Sequence, residues 1–214
     1  LLMGPGAGTA IINNIALGFA NVIPDGNVGI VSAAGTGLQE VSTLVGKKGM
    51  GLTQGIGTGG RDLKKAVGGI MMLEGLKALQ EDPATEVIAL VSKPPAKEVV
   101  ALILEQVAIG DKPTVVCFMG GDMSQVEGVK NAIPARTLQE GGLLAAKAAG
   151  AKIGDIPAMI AEENQTLADK AKALKAQLQP EQKYLRGLYS GGTLCYESQV
   201  IWRELMDEQV YSNA

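Results

Sequence analysis

The stretch 27–46 constrains the fold more than any other part of this chain. Its first residues include Val28, Ile30 and Val31, an apolar run that is typical of a buried parallel strand. A turn of small residues follows at 32–37, and beyond it the apolar residues recur at helical spacing. Strand, glycine-rich loop and helix in this order form the repeating unit of α/β proteins, so the stretch predicts a parallel sheet covered by helices.

Apolar runs and helical segments alternate along the rest of the chain in the same way. The predicted strands lie near 27–31, 51–56, 86–92 and 113–118, with a short fifth strand at 132–135. After the helix that follows the central loop, the predicted helices cover 62–80, 96–107, 137–149 and 157–179. We therefore expect an α/β fold with a flavodoxin-like parallel sheet, helices on both faces and a C-terminal helical extension. Helical crossovers between consecutive strands require the first four strands to run parallel.

The two ends of the chain depart from this pattern. Residues 1–9 look like the end of a strand that runs into a glycine-rich loop, and 15–22 is a further apolar stretch. Because the chain opens on an apolar strand end and without an initiator methionine, we expect a fragment of a longer protein. The segment 157–179 is rich in Ala, Lys, Glu and Leu and is followed by Pro180, so it should be a solvated helix.

Composition and charge argue against several classes of function. The 214 residues carry a net charge of −3 without a basic cluster, so nucleic-acid and membrane-surface binding are not expected. No apolar run reaches the roughly 18 residues that a transmembrane helix needs. Cys117 and Cys195 lie far apart and lack the spacing of metal ligands, so no metal site is predicted. Without a secretion signal, the reducing cytoplasm is the expected location.

The chain contains no histidine. This absence excludes serine–histidine–aspartate triads, cysteine–histidine pairs, histidine metal sites and phosphohistidine chemistry within the chain. The sequence therefore assigns no catalytic residue, and its strongest candidate is a binding site.

The glycine-rich loops predict an anion-binding site at the carboxyl edge of the sheet. The first turn of a helix has free backbone N–H groups and a partial positive charge, and small residues let an anion approach them closely. Loops that follow parallel strands meet at this edge, where such sheets bind ligands. The candidate residues are Ser32, Gly35, Thr36, Gly37, Gly57, Gly59, Gly60 and Lys93, with Arg61 as a second cation. The alternative is a set of tight connections that bind nothing, with Lys93 as a solvated loop residue.

A second glycine-rich turn near the end of the chain repeats the first one. In both places a Gly-Thr pair precedes a glutamate by four residues at the start of a predicted helix. Ser190, Gly191, Gly192 and Thr193 are therefore candidates for a second helix N-terminus at the site. We expect the segment 184–214 to form the first strand, loop and helix of a second domain, which should extend the core or pair with another copy. A chance match between two common glycine-rich turns is the alternative.

These motifs together resemble a known family. Gly-Ile-Val-Ser-Ala-Ala-Gly-Thr at 29–36 and Ile-Gly-Thr-Gly-Gly-Arg-Asp at 56–62 are similar to the ligase domain of the succinyl-CoA synthetase α subunit. The resemblance is closer to the FdrA branch of this acyl-CoA synthetase superfamily. It includes Phe-Ala-Asn-Val-Ile-Pro-Asp-Gly-Asn at 19–27, Val-Ser-Lys-Pro-Pro-Ala at 91–96 and Gly-Leu-Tyr-Ser-Gly-Gly-Thr-Leu at 187–194.

The resemblance implies a division of the chain into four parts. Residues 1–24 would be the end of a truncated CoA-binding-like domain, 25–150 a succinyl-CoA-synthetase-like ligase domain, 151–183 a helical linker and 184–214 the opening of a β-subunit-like domain. In the synthetases two helix N-termini hold a phosphohistidine, but here the loop that should carry it reads Met-Gly-Gly-Asp-Met-Ser. Lys93 stands where the family has a carboxylate. An anion site without a phosphorelay is therefore implied.

Three functions are compatible with the resemblance. The first is an FdrA-like subunit that handles an acyl phosphate, in particular carbamoyl phosphate, as part of an oxamate carbamoyltransferase of allantoin breakdown. The usual Ser-Thr-Arg-Thr loop of carbamoyltransferases is absent. The second is an acyl-CoA ligase of the ADP-forming type that takes its histidine from another chain, and the third is a non-catalytic assembly module.

The same resemblance implies the ligands and partners. CoA and carbamoyl phosphate are the candidate ligands of the complete protein. The expected partners are a small anionic substrate, other subunits or the missing halves of the same protein, and further copies of this chain in a homo-oligomer.

Overall fold

The structure, a computed structural model, describes residues 6–207 and 209–213. The strand end expected at the start of the chain lies largely outside them. The strands are β1 (Thr9–Ile12), β2 (Ile15–Gly18), β3 (Asp25–Ser32), β4 (Leu52–Gly57), β5 (Val87–Ser92), β6 (Thr114–Phe118) and β7 (Ala132–Pro134). The α-helices are α1 (Gly35–Lys47), α2 (Ile70–Glu81), α3 (Lys97–Ile109), α4 (Leu138–Ala148), α5 (Ile156–Lys175) and α6 (Gly192–Leu205).

All seven strands belong to one sheet, in the order β2-β1-β4-β3-β5-β6-β7. The five strands from β4 to β7 in this order pair in parallel, which confirms the predicted parallel sheet. Numbered along the chain, these five strands have the order 2-1-3-4-5 of flavodoxin-like folds. The strand order reverses beside β3, because β4 lies on one side of it and β5 on the other.

Helices cover both faces of the sheet, as predicted, because successive residues of a strand point to opposite sides. Ile30 of β3 belongs to the core cluster that includes residues of α1 and α4. Its neighbour Val31 belongs to the cluster that includes residues of α2 and α3. Both side chains are fully buried, so the central strand is apolar on each face.

An antiparallel hairpin of β1 and β2 extends the sheet beyond β4, and the sequence analysis does not predict it. Asn13 and Asn14 form its turn with φ angles of 47° and 62°. Asparagine tolerates this left-handed region, and two such residues suit the type I′ turn that matches the twist of a hairpin. The Asn-Asn pair is therefore the sequence feature that indicates the hairpin.

Helix α2 begins at Ile70, so the predicted start at Asp62 is wrong. Gly68 and Gly69 have φ angles of 84° and 73°, and this left-handed backbone cannot continue a helix begun at Asp62. Asp62 instead accepts hydrogen bonds of 2.9 Å from the backbone N–H groups of Met71 and Met72. It caps the first turn of α2 from outside the helix, which a local sequence pattern does not reveal.

The C-terminal part of the chain combines an exposed segment with a packed helix. Every residue from 161 to 190 is exposed, and most of α5 lies in this segment. The strand expected at the start of 184–214 is not formed, because a lone extended segment without a partner edge has no ladder for its backbone groups. Helix α6 nevertheless packs against α1, and its Leu194 and Tyr196 pack on the core cluster of α1 and α4. The C-terminal segment therefore extends the core through its helix.

The longest described helix is α5, with 20 residues and charges spread along it. Neither α5 nor any other helix within the described ranges is long and apolar enough to cross a bilayer. In the same part of the chain, no three cysteine, aspartate or glutamate side chains are grouped so that they could hold a metal ion.

Candidate anion-binding site

A cavity of about 700 Å³ opens outside the carboxyl ends of β3, β4 and β5. The strand order reverses at this point, and open α/β sheets bind ligands in the crevice that results. The loops after these strands, the β1–β2 hairpin and the start of α6 form the walls. The lining residues are Gly6, Gly8, Thr9, Phe19, Ala33, Ala34, Gly35, Thr36, Gln39, Gly60, Leu63, Lys64, Ser92, Lys93, Pro94, Ser190, Gly191, Gly192 and Thr193.

The N-termini of α1 and α6 meet at this cavity. The first residues of the two helices, Gly35 and Gly192, both line it. The two segments approach so closely that a Cβ on Gly191 would lie 2.6 Å from Oγ1 of Thr36. Each helix N-terminus carries about half a positive charge, so their convergence makes this wall of the cavity electropositive.

Neither of these helices has a side-chain cap. Ala34 precedes α1 and Gly191 precedes α6, and no acidic residue lies in the first turn of either helix. In contrast, the side chains of Thr137 and Asp155 cap α4 and α5. The first N–H groups of α1 and α6 therefore have no side-chain acceptor of this kind, and an anion in the cavity can supply one.

The last residue of β5 adds a hydroxyl group to the cavity, and the loop after β5 adds a cation. Ser92 is only 1% exposed, and its Oγ has no hydrogen-bond partner among the described residues. A buried hydroxyl without a partner is unfavourable, so Ser92 is a candidate hydrogen-bond partner for a ligand atom at this wall. The ammonium of Lys93 lies 5.0 Å from the ring centroid of Tyr196 on α6. Lys64, from the loop after β4, is a second lysine in the lining.

The structure brings a large part of the predicted residue set together at the cavity. The predicted residues that line it are Gly35, Thr36, Gly60, Lys93, Ser190, Gly191, Gly192 and Thr193. They come from four separate parts of the chain, which the sheet and α6 place side by side. Arg61 is exposed and is not among the lining residues.

Two other predicted residues, Ser32 and Gly37, do not line the cavity. Their contacts lie within the turn from β3 to α1 and between α1 and the sheet. The Ser32 hydroxyl donates to the carbonyl oxygen of Ala34 at 2.8 Å and accepts the N–H of Ala34 at 3.1 Å. It therefore closes the turn before α1. Gly37 faces the sheet, where a Cβ would lie 3.0 Å from Cγ1 of Val91, so it lets α1 approach β5.

Gly57 and Gly59 likewise do not line the cavity, because the hairpin and the residues before it pack against them. A Cβ on Gly57 would lie 2.1 Å from the carbonyl oxygen of Thr9, so β1 can approach β4 only at a glycine. Gly59 has a φ of 81°, and a Cβ there would lie 3.0 Å from the carbonyl carbon of Gly6. Both glycines are explained by close backbone approach.

Thr9, Gln39, Lys64 and Ser92 also line the cavity, although they are not among the candidate residues predicted from the sequence. Ser92 lies inside the Val-Ser-Lys-Pro-Pro-Ala motif beside Lys93, so it could have been found there. Thr9 and Gln39 are joined by a 3.0 Å hydrogen bond from Nε2 of Gln39 to Oγ1 of Thr9. No local pattern predicts this contact, because it depends on the unpredicted hairpin.

The loop after β6, where the resemblance places a histidine, lies beneath α6. Gly120 has a φ of 74°, and a Cβ there would lie 2.9 Å from Cγ2 of Val200 and 3.3 Å from the hydroxyl of Tyr196. A larger residue at this position would therefore displace α6. On β6 itself, the Cys117 thiol donates to the carbonyl oxygen of Thr137, and burial raises the pKa of this thiol, so it stays protonated at neutral pH.

Glu197 connects α6 to the start of α4. Its Oε1 accepts a 2.7 Å hydrogen bond from the backbone N–H of Leu138, the first residue of α4. Burial raises the pKa of this carboxyl group, the Leu138 hydrogen bond lowers it, and the charge of Glu40 raises it further, with a net upward shift. Docking of α6 therefore places a carboxylate where its charged form is disfavoured.

Acidification is expected to tighten the docking of α6 through Glu197. The pKa of Glu197 in the folded chain lies above its ordinary value of 4.5, so between these two values the folded chain binds more protons and its stability rises as the pH falls. Glu197→Gln should keep the acceptor for Leu138 and remove this pH dependence. Melting temperatures of both proteins from about pH 7 to pH 4.5 check this, with Glu181→Gln in the exposed segment as the control. Equal pH profiles for wild type and Glu197→Gln would contradict the expectation.

Comparison with known proteins supports the α/β class that the fold defines. Residues 24–121 match the family model described as CoA binding domain. Over all 214 residues the chain is 46% identical to the uncharacterized protein YahF of Escherichia coli strain K12, and it spans 40% of that protein's length.

Two solved structures share this architecture. PH0766 from Pyrococcus horikoshii OT3 has a TM-score of 0.51 at 18% identity, over 67% of this chain and 32% of that one. The apo form of the dinucleotide forming acetyl-coenzyme A synthetase 1 of Ca. Korarchaeum cryptofilum has a TM-score of 0.51 at 13% identity, over 69% of this chain and 36% of that one. At these identities the likeness shows the fold alone. The chain thus has a mostly parallel α/β fold in which residues 24–121 match the CoA binding domain model, and the finer resemblance to the FdrA family stays a prediction.

Proposed function

We propose that this chain supplies the anion-binding part of an enzyme that transfers an acyl group from an acyl phosphate. The observation that carries the proposal is the convergence of the uncapped N-termini of α1 and α6 with Lys93 and the unpartnered hydroxyl of Ser92. Backbone N–H groups, a hydroxyl and an ammonium are the donors that phosphoryl oxygens prefer.

The charge around the cavity matches a phosphoryl group. Where the helices meet, the two N-termini contribute about half a positive charge each and Lys93 a full one, so the sum is roughly +2. Lys64 adds a further positive charge in the lining. A phosphoryl group carries roughly −1.5 to −2 at neutral pH. A dianionic phosphoryl group between α1 and α6 would therefore be neutralised without help from a metal-binding cluster.

The size of the cavity favours a ligand with more than a phosphate. Its volume of about 700 Å³ lies within the range of roughly 300–1,000 Å³ that is typical of small-molecule sites. Phe19, Leu63 and Pro94 add apolar surface beside the polar groups. The acyl part of the substrate, or the end of a CoA thioester, would lie against this surface.

The chemistry that we propose uses no phosphohistidine from this chain, because the chain contains no histidine. Lys93 instead holds the phosphoryl group while a nitrogen of the acceptor attacks the acyl carbon and loses a proton. The bond from the acyl carbon to the phosphate oxygen breaks, and inorganic phosphate leaves. Carbamoyl phosphate with oxamate as the acceptor is the substrate pair that the FdrA resemblance implies, and we propose it as the first to test.

An acyl-CoA ligase is the second candidate function, and the CoA binding domain match at residues 24–121 favours it. Such an enzyme would take a phosphohistidine from another chain or from a further part of the same protein. Incubation of the complete assembly with labelled ATP distinguishes the two functions. An acid-labile phosphoenzyme supports the ligase, and carbamoyl transfer without one supports the first proposal.

Lys93→Glu is expected to weaken anion binding at least about tenfold, which equals 1.4 kcal/mol, because it reverses the charge beside the two helix ends. Calorimetric titration with phosphate, acetyl phosphate, carbamoyl phosphate and CoA measures the effect. Lys130→Glu is the matched control, since this exposed lysine precedes β7 at the opposite edge of the sheet. Absence of binding to wild type, or equal affinity in all three proteins, would leave the cavity as a packing feature of a non-catalytic module.

A further inference from the structure

We propose that Tyr196 is a positioning residue of the anion site and that, through Lys93, it makes the docking of α6 depend on a bound phosphoryl anion. The inference rests on the proposed function, because it concerns the same cavity. It adds to the proposed function the residue that fixes Lys93, and it makes the docking of α6 the step that closes the cavity.

Tyr196 lies between two loops at the carboxyl edge of the sheet. The face of its ring attracts the ammonium of Lys93, which lies 5.0 Å from the ring centroid on the loop after β5. Its hydroxyl lies above Gly120 on the loop after β6, 3.3 Å from the place of a Cβ. The ring also packs on the core cluster of α1 and α4. Tyr196 therefore fixes the position of Lys93 at the cavity and attaches α6 to both loops.

The positive groups around the cavity oppose one another unless an anion lies between them. Docking brings the N-terminus of α6 against the N-terminus of α1, and Gly191 meets Thr36 there. Lys93 adds a full positive charge beside these two helix ends. The ring of Tyr196 offsets part of this repulsion, and an anion bridging the two helices would offset the rest. Anion binding and α6 docking should therefore strengthen each other by the same factor.

The segment that connects α6 to the sheet lets this helix dock when an anion binds and undock when the anion leaves. The segment 161–190 that leads to α6 is exposed throughout, so it contributes little to holding the helix in place. Docking depends on contacts of α6 itself, which include the buried Thr193 and Gln199 and the hydrogen bond between Glu197 and Leu138. A helix that is joined to the sheet through an exposed segment and docks by its own contacts belongs to the part of a protein that opens first.

Trp202 provides a direct measurement of docking, because it lies on α6 and is the only tryptophan of the sequence. Calorimetry with inorganic phosphate measures affinity separately on the same 214-residue chain. Phosphate should shift the Trp202 emission of the wild type. Tyr196→Leu removes the ring and should weaken phosphate binding about fivefold or more, with loss of the phosphate-dependent shift. Tyr196→Phe keeps the ring face and should retain both properties.

A double-mutant cycle with Lys93→Met separates positioning from a merely structural role. If Tyr196 acts through Lys93, Tyr196→Leu should cause no further loss of phosphate affinity in the Lys93→Met background. Additive losses would overturn the inference, as would equal loss in Tyr196→Phe and Tyr196→Leu.

Failure of the inference and failure of the proposed function give different results. Wild type and Tyr196→Leu with equal phosphate affinity would overturn the role of Tyr196 and leave the proposed function standing. A wild type that binds neither phosphate nor acetyl phosphate would overturn both.

Discussion

Replacing Gly35 with valine is expected to abolish phosphate binding while the fold stays intact. A Cβ at this position meets only Oγ1 of Thr9, at 3.4 Å, so the backbone of α1 need not move. Because Gly35 and Thr9 both line the cavity, the valine methyl groups would take the space beside the first N–H groups of the helix. We expect affinity to fall about a hundredfold or more, which equals roughly 2.8 kcal/mol of binding free energy.

Calorimetric titration and a melting curve, recorded on the same sample, test this expectation. Gly154→Val is the matched control, because a Cβ on Gly154 has no neighbour within 4 Å and this residue lies away from the cavity. Its melting temperature and phosphate affinity should equal those of the wild type. Unchanged affinity in Gly35→Val would show that the turn before α1 only connects two elements.

Ending the chain at Gln179 is expected to lower both stability and phosphate affinity. The truncation removes α6, whose Leu194 and Tyr196 pack on the core cluster of α1 and α4. A fully buried side chain contributes about 1.5–3 kcal/mol, so the loss of two partly buried ones should destabilise the fold by roughly 2–4 kcal/mol. The melting temperature should fall by roughly 5–10 °C for a chain of this length. One of the two helix N-termini at the cavity leaves with the helix.

A chain that ends at Met206 is the control for this truncation, because it keeps all of α6 and removes only the residues after it. It should melt and bind phosphate as the wild type does. Light scattering of all three proteins shows whether α6 docks within one chain or exchanges between copies. An unchanged mass, melting temperature and affinity after truncation at Gln179 would mean that α6 contributes nothing to the core or to the site.

The two experiments address different halves of one site. Gly35 belongs to the N-terminus of α1, which follows the central strand and is fixed by the sheet. The second half comes from α6, which a long exposed segment separates from the sheet in sequence. Loss of binding in both variants would show that the anion needs both helix ends. Loss in only one of them would assign the site to a single helix.

Strands, parallel pairing and helices on both faces could be predicted from the sequence because their causes are local. Val28 and Ile30 point to one face of the strand and Val31 to the other, and such a run is typical of a strand buried on both faces. The capping of α4 by Thr137 is a local signal of the same kind, because Thr137 and Glu140 are only three positions apart. The same local reasoning located the two glycine-rich turns that begin α1 and α6.

Local reasoning failed where a contact joins distant residues. The start of α2 depends on the carboxylate of Asp62, which bonds to the backbone of Met71 and Met72 across two left-handed glycines. Gly57 could equally belong to a ligand site or to a packed strand until the position of Thr9 is known. In both cases the sequence contains the right residue types, and tertiary contacts decide what they do.

The candidate site shows the same division. The sequence by itself determined that two glycine-rich helix starts and a lysine after the third parallel strand were candidates for an anion site, and that no histidine accompanies them in this chain. Only the tertiary structure decided that the two helix starts face one cavity without side-chain caps, that the Tyr196 ring lies beside the ammonium of Lys93, and that Ser32 and Gly59 have other contacts. The physical reason is the distance in sequence over which each interaction acts. Helix and strand signals act over a few residues, whereas the meeting of α1 with α6 depends on the docking of α6 against the packed core.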